Sequence, residues 1–408
     1  MNYAQESLEL HRKLKGKLDI VSRLPITNKT DLSLAYTPGV AQPCVEIHRN
    51  PEESYELTGR GNLVAVVTDG TAVLGLGDIG PEAAMPVMEG KAALFKTFAD
   101  VDAVPVCLDT KDEEEFIKTV KYLQPNYAGI NLEDISSPKC YDIECRLKEI
   151  CDIPVFHDDQ HGTAIACLAA VMGALRFVKK DIKTAKFVVN GCGAAGSAIG
   201  RLLVNMGAEN VIMVDRFGAL YEGIDAKLDR IQAYLATVTN KEHKQGTLAD
   251  VAKGADVLIG VSAPNIFTKE IISSMAEKAI VFALANPVPE TSYDAAKEAG
   301  AAVVGTGRSD SPNQVNNVCV FPGVFRGAID VRAKAITEDM KVAAVYAIAG
   351  LIDEKDLRED YVVPDAFDPR VAPAVAAAVA KVAIEKGLAR KIVDPEEIRA
   401  NTMKRVGR

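Results

Sequence analysis

The chain of 408 residues contains no tryptophan, so a bound ligand has to be followed by its own absorbance or by calorimetry instead of indole fluorescence. No two of its eight cysteines have C-x-x-C spacing, the pattern of zinc and redox sites. Cys44, Cys107, Cys140, Cys145, Cys151, Cys167, Cys192 and Cys319 lie mostly in apolar stretches. They predict small buried hydrophobes of a reducing, cytoplasmic setting, not a disulfide framework; the cluster Cys140, Cys145, Cys151 lacks paired ligand spacing. Positive charge is short as well. A formal net charge of -9 argues against nucleic acid or an anionic membrane as partner, since both need concentrated Lys and Arg. The first residues, MNYAQESLELHRKLKGKLDI, hold no apolar run of the secretory kind, and no stretch is expected to be long and apolar enough to cross a bilayer. Internal repeats, low-complexity tracts and flexible linkers are missing too. What remains is 48% hydrophobic residues, enough for two ordinary domains or one large one.

The apolar residues alternate in type. After 30 charged residues of helical pattern, strands are expected at 63–70 (LVAVVTDG), 103–109, 127–134 (YAGINLED) and 153–159 (IPVFHDD). Helices are expected between them at 81–98, 112–123 and 138–150. Such alternation predicts βαβ units and a parallel sheet. An alanine-rich helix at 163–179 leads into a second alternation, with strands at 186–191, 211–215, 256–262, 280–287 and 301–307 and a helix at 194–206. The predicted fold class is α/β with two domains. Residues 1–162 form an N-terminal α/β substrate and metal domain, and residues 163–408 a Rossmann-type doubly wound dinucleotide-binding domain. Within 371–408, the helix at 371–387 has alanine faces suited to either domain or to a second subunit.

Each of the first four strands ends in an acid: Asp69, Asp109, Asp134 and Asp159. Ligand crevices of open α/β sheets lie outside the carboxyl ends of the strands, so these acids are expected around one crevice. Glu133-Asp134 and Asp158-Asp159 are pairs. Acids closing apolar strands are costly unless a cation sits among them, and Mg²⁺ or Mn²⁺ takes oxygen ligands. Acids at strand ends also cap following helices, which is the ordinary alternative for any one of them.

Two stretches match G-x-G-x-x-G. Gly191-Cys192-Gly193-Ala194-Ala195-Gly196 follows a strand, opens a helix, and is answered by Asp215, 24 residues after Gly191. This is a dinucleotide fingerprint, with the pyrophosphate at the helix N-terminus and the acid on the ribose hydroxyls; its plain alternative is a glycine turn. Asp215 favours NAD by repelling a 2′-phosphate, while Arg216 would pair with one, so NADP stays open. The other match, Gly75 to Gly80, puts Asp78 where a phosphate would sit and is read as a tight loop near the substrate.

Lys91, in an otherwise mostly apolar helix, and Tyr36, in a Pro-Gly turn, have bland readings as a surface lysine and an anchoring tyrosine. Taken with their neighbours they do not. SLAYTPGV, VVTDG, LGLGD, PVMEGK, INLED, FHDDQHGTA, VVNGCGAAG, ALANPVPE and NNVCVFPG run in order from residue 33 to 323, and the chain so resembles the malic enzymes, of the short prokaryotic type. The resemblance implies oxidative decarboxylation of malate to pyruvate with reduction of NAD(P). It implies Glu133, Asp134 and Asp159 as metal ligands, Lys91 as general base and Tyr36 as general acid. Asp158 would stand behind the ligands, near Lys91. Asn286 and Asn317 would lie near the nicotinamide and substrate, with Asn316 beside them. The larger members carry an arginine for a malate carboxylate in the loop that here reads Thr71-Ala72; asparagines, backbone N–H groups or the metal would replace it. Burial and metal charge would lower the Lys91 pKa, and Asp158 would oppose them. The nearest rival is malolactic conversion to lactate with recycled NAD. An amino-acid dehydrogenase would need no acid cluster, and a nucleotide sensor would need neither Lys91 nor Tyr36. A homodimer is expected.

Overall fold

The computed structural model describes residues 3–407 and contains two sheets. β1 (Leu63–Thr68), β2 (Asp102–Cys107), β3 (Gly129–Leu132) and β4 (Val155–His157) form the first, in the order β2-β1-β3-β4. β5 (Lys186–Asn190), β6 (Asn210–Asp215), β7 (Gly218–Ala219), β8 (Val257–Gly260), β9 (Ile280–Ala283) and β10 (Val303–Thr306) form the second, in the order β10-β9-β8-β5-β6-β7. Every pairing is parallel except that of β6 with the two-residue β7. Helices cover both faces of such sheets, which is why β1, β3 and β8 are nearly unbroken apolar runs.

The first four strands are shorter than their patterning predicts, stopping at Thr68, Cys107, Leu132 and His157. The acids follow the strands instead of belonging to them. Inside the ladder a carboxylate would be sealed between layers; just past it, the chain turns and the crevice opens.

The helix expected at 163–179 is Asp158–Val178. His157 caps it, its ring accepting from the Gln160 N–H at 3.3 Å, and Asp158 and Asp159 occupy the first turn, where the helix dipole favours acids. The polar string HDDQ hides that start. The helix runs unbroken past 162/163, so no linker separates the expected domains there. Contrary to expectation, it is long and apolar enough to span a bilayer, but 78% of its most apolar stretch is buried in the protein. It is a core helix shared by both lobes.

The chain ends by returning to the first sheet. Helix Phe321–Asp330 sets Phe321 and Phe325 edge-on to Phe95, with ring centroids 4.6 and 5.2 Å apart. Helix Val371–Glu385 lies on its glycines: a Cβ at Gly327 would come within 2.3 Å of the Ala376 carbonyl. Helices Phe321–Asp330, Val371–Glu385 and Pro395–Val406 therefore pack on the first lobe, although they follow the second in sequence, while Glu338–Ala349 lies against Asp158–Val178 and Ala194–Asn205.

At the other end, helices Tyr3–Leu14, Lys29–Ala35 and Ala41–Arg49 bury no residue. The arm is tied down by Lys17, which bonds Glu89 and the Pro86 carbonyl, and by Arg23, which pairs with Asp102. Its apolar side chains face outward; Ile20, Val21, Leu34 and Tyr36 are each 67% exposed or more.

Candidate active site

β5 leads into the glycine turn. Gly191 has φ +110, and a Cβ there would meet the Val261 carbonyl at 2.6 Å; a Cβ on Gly196 would meet the Gly191 carbonyl at 1.8 Å. Only glycine permits this approach. Val261 and Ser262 follow β8, which flanks β5 opposite β6, so the turn sits where strand order reverses and a crevice opens. Gly193 faces open space and caps helix Ala194–Asn205 without a side-chain bond, leaving the first helical N–H groups for an anion. At the end of β6, Asp215 accepts from the Arg216 N–H and from the Gln232 side chain, both at 2.6 Å. The Arg216 guanidinium lies 4.8 Å over the Phe217 ring.

The acid pairs meet because β3 and β4 are neighbours in register, Leu132 opposite His157. One carboxylate oxygen from each of Glu133, Asp134 and Asp159 lies within 4.8 Å of the other two. Asp134 takes a left-handed backbone, φ +54, and its N–H donates to Asp159 at 2.8 Å. Its Oδ2 is buried with no hydrogen-bond partner, a cost that a ligated cation removes. Burial pushes Glu133 up to about 7, Asp134 to about 8 and Asp159 to about 6, with repulsion among the acids adding to it. Three converging oxygens that resist ionising alone fit a hard divalent ion.

These raised values carry a sign. The folded protein without metal holds protons that the unfolded chain releases near pH 4, so the stability from this source is full below about pH 4 and is lost as pH rises through 6 to 8. A divalent ion competes with the same protons. The rise in Tm on adding Mn²⁺ should be small at about pH 5.5 and large at about pH 8 by scanning calorimetry; equal rises would contradict the assignment.

Lys91 reaches in from helix Pro81–Ala99 and is 7% exposed. Its Nζ lies 2.6 Å from Asp158 Oδ2, 3.0 Å from Glu133 Oε1 and 4.4 Å from the Phe321 ring centroid. Burial alone would lower its pKa, but Asp158 and Glu133 outweigh burial and hold it above the usual lysine value. The downward shift expected from sequence is thus reversed by these two carboxylates. Asp158 turns toward Lys91 and also accepts from the Asn317 side chain.

Lys91, the three ligand-type acids and the first residues of the dinucleotide helix open on one cleft of about 740 Å³ between the lobes, within the range of small-molecule sites. Lys91, Glu133, Asp134 and Asp159 line one side, Ala194, Ala195 and Asn286 the other, and Asn317 bridges them. Lys91 is the one cation among the lining residues. Val261 and Ser262 also line it, as do Leu74 and Ala72 of the 70–80 loop, whose Gly75 packs against the Asn286-Pro287 turn. Sequence reasoning missed Val261 and Ser262, whose only signal was that they close an apolar strand.

Asp158, Asp215 and Arg216 stand behind or beyond the cleft lining, and four other expected residues are placed elsewhere. Asp109 lines a separate surface hollow with Lys118 and Tyr122, since β2 is the edge strand. Asp69 is buried but bound to Lys139 and Thr71. Asn316 caps the turn Asn317–Cys319 with its side-chain oxygen and lines a smaller neighbouring cavity that Asn286 and Asn317 share. Tyr36 is exposed on the N-terminal arm and does not line the cleft.

A doubly wound dinucleotide lobe facing clustered carboxylates and a buried lysine defines an oxidoreductase with a metal centre. Residues 15–115 match the family model described as malic enzyme, N-terminal domain, and residues 160–384 that described as malic enzyme, NAD binding domain. The chain belongs to the malic enzyme family. It is 55% identical to the bifunctional malic/malolactic enzyme of Bacillus subtilis over 99% of this chain and 98% of that protein. It is 52% identical to the NAD-dependent malic enzyme of Geobacillus stearothermophilus, covering 96% and 81%. A crystal structure of malic enzyme from Pyrococcus horikoshii superposes with a TM-score of 0.94 at 44% identity, covering 99% and 96%. Further relatives are named for NAD and for NADP.

Proposed function

We propose that the protein oxidises and decarboxylates (S)-malate to pyruvate and CO₂ while reducing NAD, with Mg²⁺ or Mn²⁺ held by Glu133, Asp134 and Asp159. The observation that carries this is Lys91, buried against Asp158 and Glu133 in the same cleft as the acid trio and the glycine turn. A divalent ion held by these three carboxylates would supply Lewis acidity to the substrate. Lys91 takes the C2 hydroxyl proton, and Asp158, itself held by Asn317, aims its Nζ. Lys91 loses part of the field that keeps it protonated once Glu133 is shared with a cation. With Thr71-Ala72 where larger relatives carry arginine, the Asn286 and Asn317 amides, backbone N–H groups or the divalent ion are left to hold the malate carboxylates.

Tyr36 fits the role of general acid only if a second copy supplies it. The arm that carries it exposes a row of leucines and isoleucines too extensive for a free surface, and two-fold dimers are the commonest assembly. We infer a homodimer whose cleft receives Tyr36 of the partner subunit. Mixed dimers test this. Tyr36→Phe and Lys91→Ala homodimers should each be nearly inactive, while their co-refolded mixture should regain activity at one site per mixed dimer. No regain would mean that Tyr36 acts within its own chain or not at all.

NAD is favoured by Asp215, both of whose oxygens are engaged by its own loop and by Gln232, leaving an anion where a 2′-phosphate would lie. The kcat/KM for NAD should exceed that for NADP, and Asp215→Ser should narrow the ratio about tenfold, the scale of one charge-assisted hydrogen bond. A native preference for NADP would overturn this. Assays with malate, both cofactors and Mn²⁺ or EDTA, measuring pyruvate and lactate, test the whole reading. The similarity to a bifunctional malic/malolactic enzyme favours lactate formation as a second reading; lactate without accumulated NADH would establish it.

A further inference from the structure

Glu144, on helix Lys139–Ile150, is 4% exposed and lines no part of the cleft. Its oxygens lie 2.8 and 2.9 Å from Nε2 of His161, and they accept from the His157 backbone N–H and the Gln160 side chain, each at 3.3 Å. Those three residues bracket Asp158 and Asp159, so one carboxylate holds both ends of the turn that presents them. Lys341, 1% exposed, lies against the same ring, its Nζ 3.0 Å from Nδ1 and 3.2 Å from Nε2 of His161 and 2.6 Å from Glu338. Glu338 accepts from Asn205 at 3.1 Å, and Arg201 donates to Gln160 at 3.3 Å. Asn205 and Arg201 both belong to the dinucleotide helix Ala194–Asn205. With its hydrogen on Nε2, the His161 ring donates to Glu144.

A carboxylate and an ammonium this deep are no better for stability than apolar packing, and groups that orient metal ligands govern metal affinity nearly as the ligands do. We propose that Glu144, hydrogen-bonded to His161 and paired with Lys148 at 2.5 Å, while Lys341 holds the same ring, is a positioning residue that sets where Asp158 and Asp159 stand and ties their turn to the dinucleotide helix. The inference rests on the metal site proposed at Glu133, Asp134 and Asp159.

The test is titration of Mn²⁺ into the full chain, by calorimetry and by electron paramagnetic resonance of free Mn²⁺. It compares the native protein with Glu144→Gln, Lys341→Met and Lys180→Met. Lys180 pairs with Asp256 in the second lobe, away from the turn, and reports the effect of simply losing a partly buried ion pair. The Mn²⁺ Kd should rise about 10- to 100-fold in Glu144→Gln, rise in Lys341→Met, and stay within about twofold in Lys180→Met. Saturating Mn²⁺ should bring kcat of Glu144→Gln close to native. An unchanged Kd in Glu144→Gln, or a kcat deficit that saturating Mn²⁺ leaves in place, overturns the proposal. Should Glu144→Gln fail to fold, Lys341→Met and Gln160→Ala decide the matter, and an unchanged Kd in both overturns it. Native protein that binds no Mn²⁺ removes the metal site and this inference together; native binding with unaffected variants removes this inference alone.

Discussion

Lys91→Ala should lower kcat about 10³-fold while moving the malate KM by less than about tenfold. Proton transfer by a placed side chain is worth 10² to 10⁴ in rate, and Lys91 is the one cation among the residues lining the cleft. The variant also leaves Asp158 and Glu133 facing each other without their counter-charge, and burial pushes both up to about 7. Part of the lost rate would then come from a disturbed acid cluster. Lys91→Met, which keeps the buried stem, and a Mn²⁺ titration of both variants separate the two effects. Near-native Mn²⁺ affinity with a 10³-fold lower kcat identifies Lys91 as the group that moves the proton. Retention of more than about a tenth of kcat would remove it from that role.

Asp159→Ala should weaken Mn²⁺ binding by at least about 100-fold, since even groups behind a metal ligand cost 10- to 100-fold when removed. Asp159 accepts the Asp134 N–H and shares with Glu133 and Asp134 the only group of ligand atoms close enough for one ion among the described residues. Its loss therefore removes a ligand and frees the left-handed backbone at Asp134. EDTA should abolish turnover of the native protein, with Mn²⁺ restoring it. Full activity of Asp159→Ala in trace metal would refute the assignment of these carboxylates. Loss of activity with unchanged Mn²⁺ affinity would move the metal elsewhere and leave Asp159 with a different task.

The strands and helices are legible in the sequence because parallel strands covered on both faces leave unbroken apolar runs. Their spatial order is not. That β8 lies beside β5, and so brings Val261 and Ser262 to the glycine turn, is decided by crossovers that no local pattern records. The acid pairs are readable as pairs, yet HDDQ reads as a strand end because polar residues open the helix. The alanine face of Val371–Glu385 is visible in the sequence, while the surface it covers, Gly323 and Gly327, depends on a chain return of some 50 residues. Glu144 and Lys341 leave no trace, and His161 stands only as an unassigned letter of FHDDQHGTA, since Lys341 is 180 residues from it. Tyr36 marks another limit: a motif match names the residue but says nothing about which chain's cleft it would enter.

The long helix Asp158–Val178 has a thermodynamic consequence. Its first turn presents acids to one lobe while sixteen of its residues are buried, and the chain beyond 320 returns to the lobe it left. Neither sheet can melt without stripping that helix of part of its cover. Heating should give one calorimetric transition, with van't Hoff and calorimetric enthalpies equal per cooperative unit, in a molecule whose two sheets would suggest two. Limited proteolysis near residue 162 should be slow for the same reason, because a protease must open both lobes to reach it.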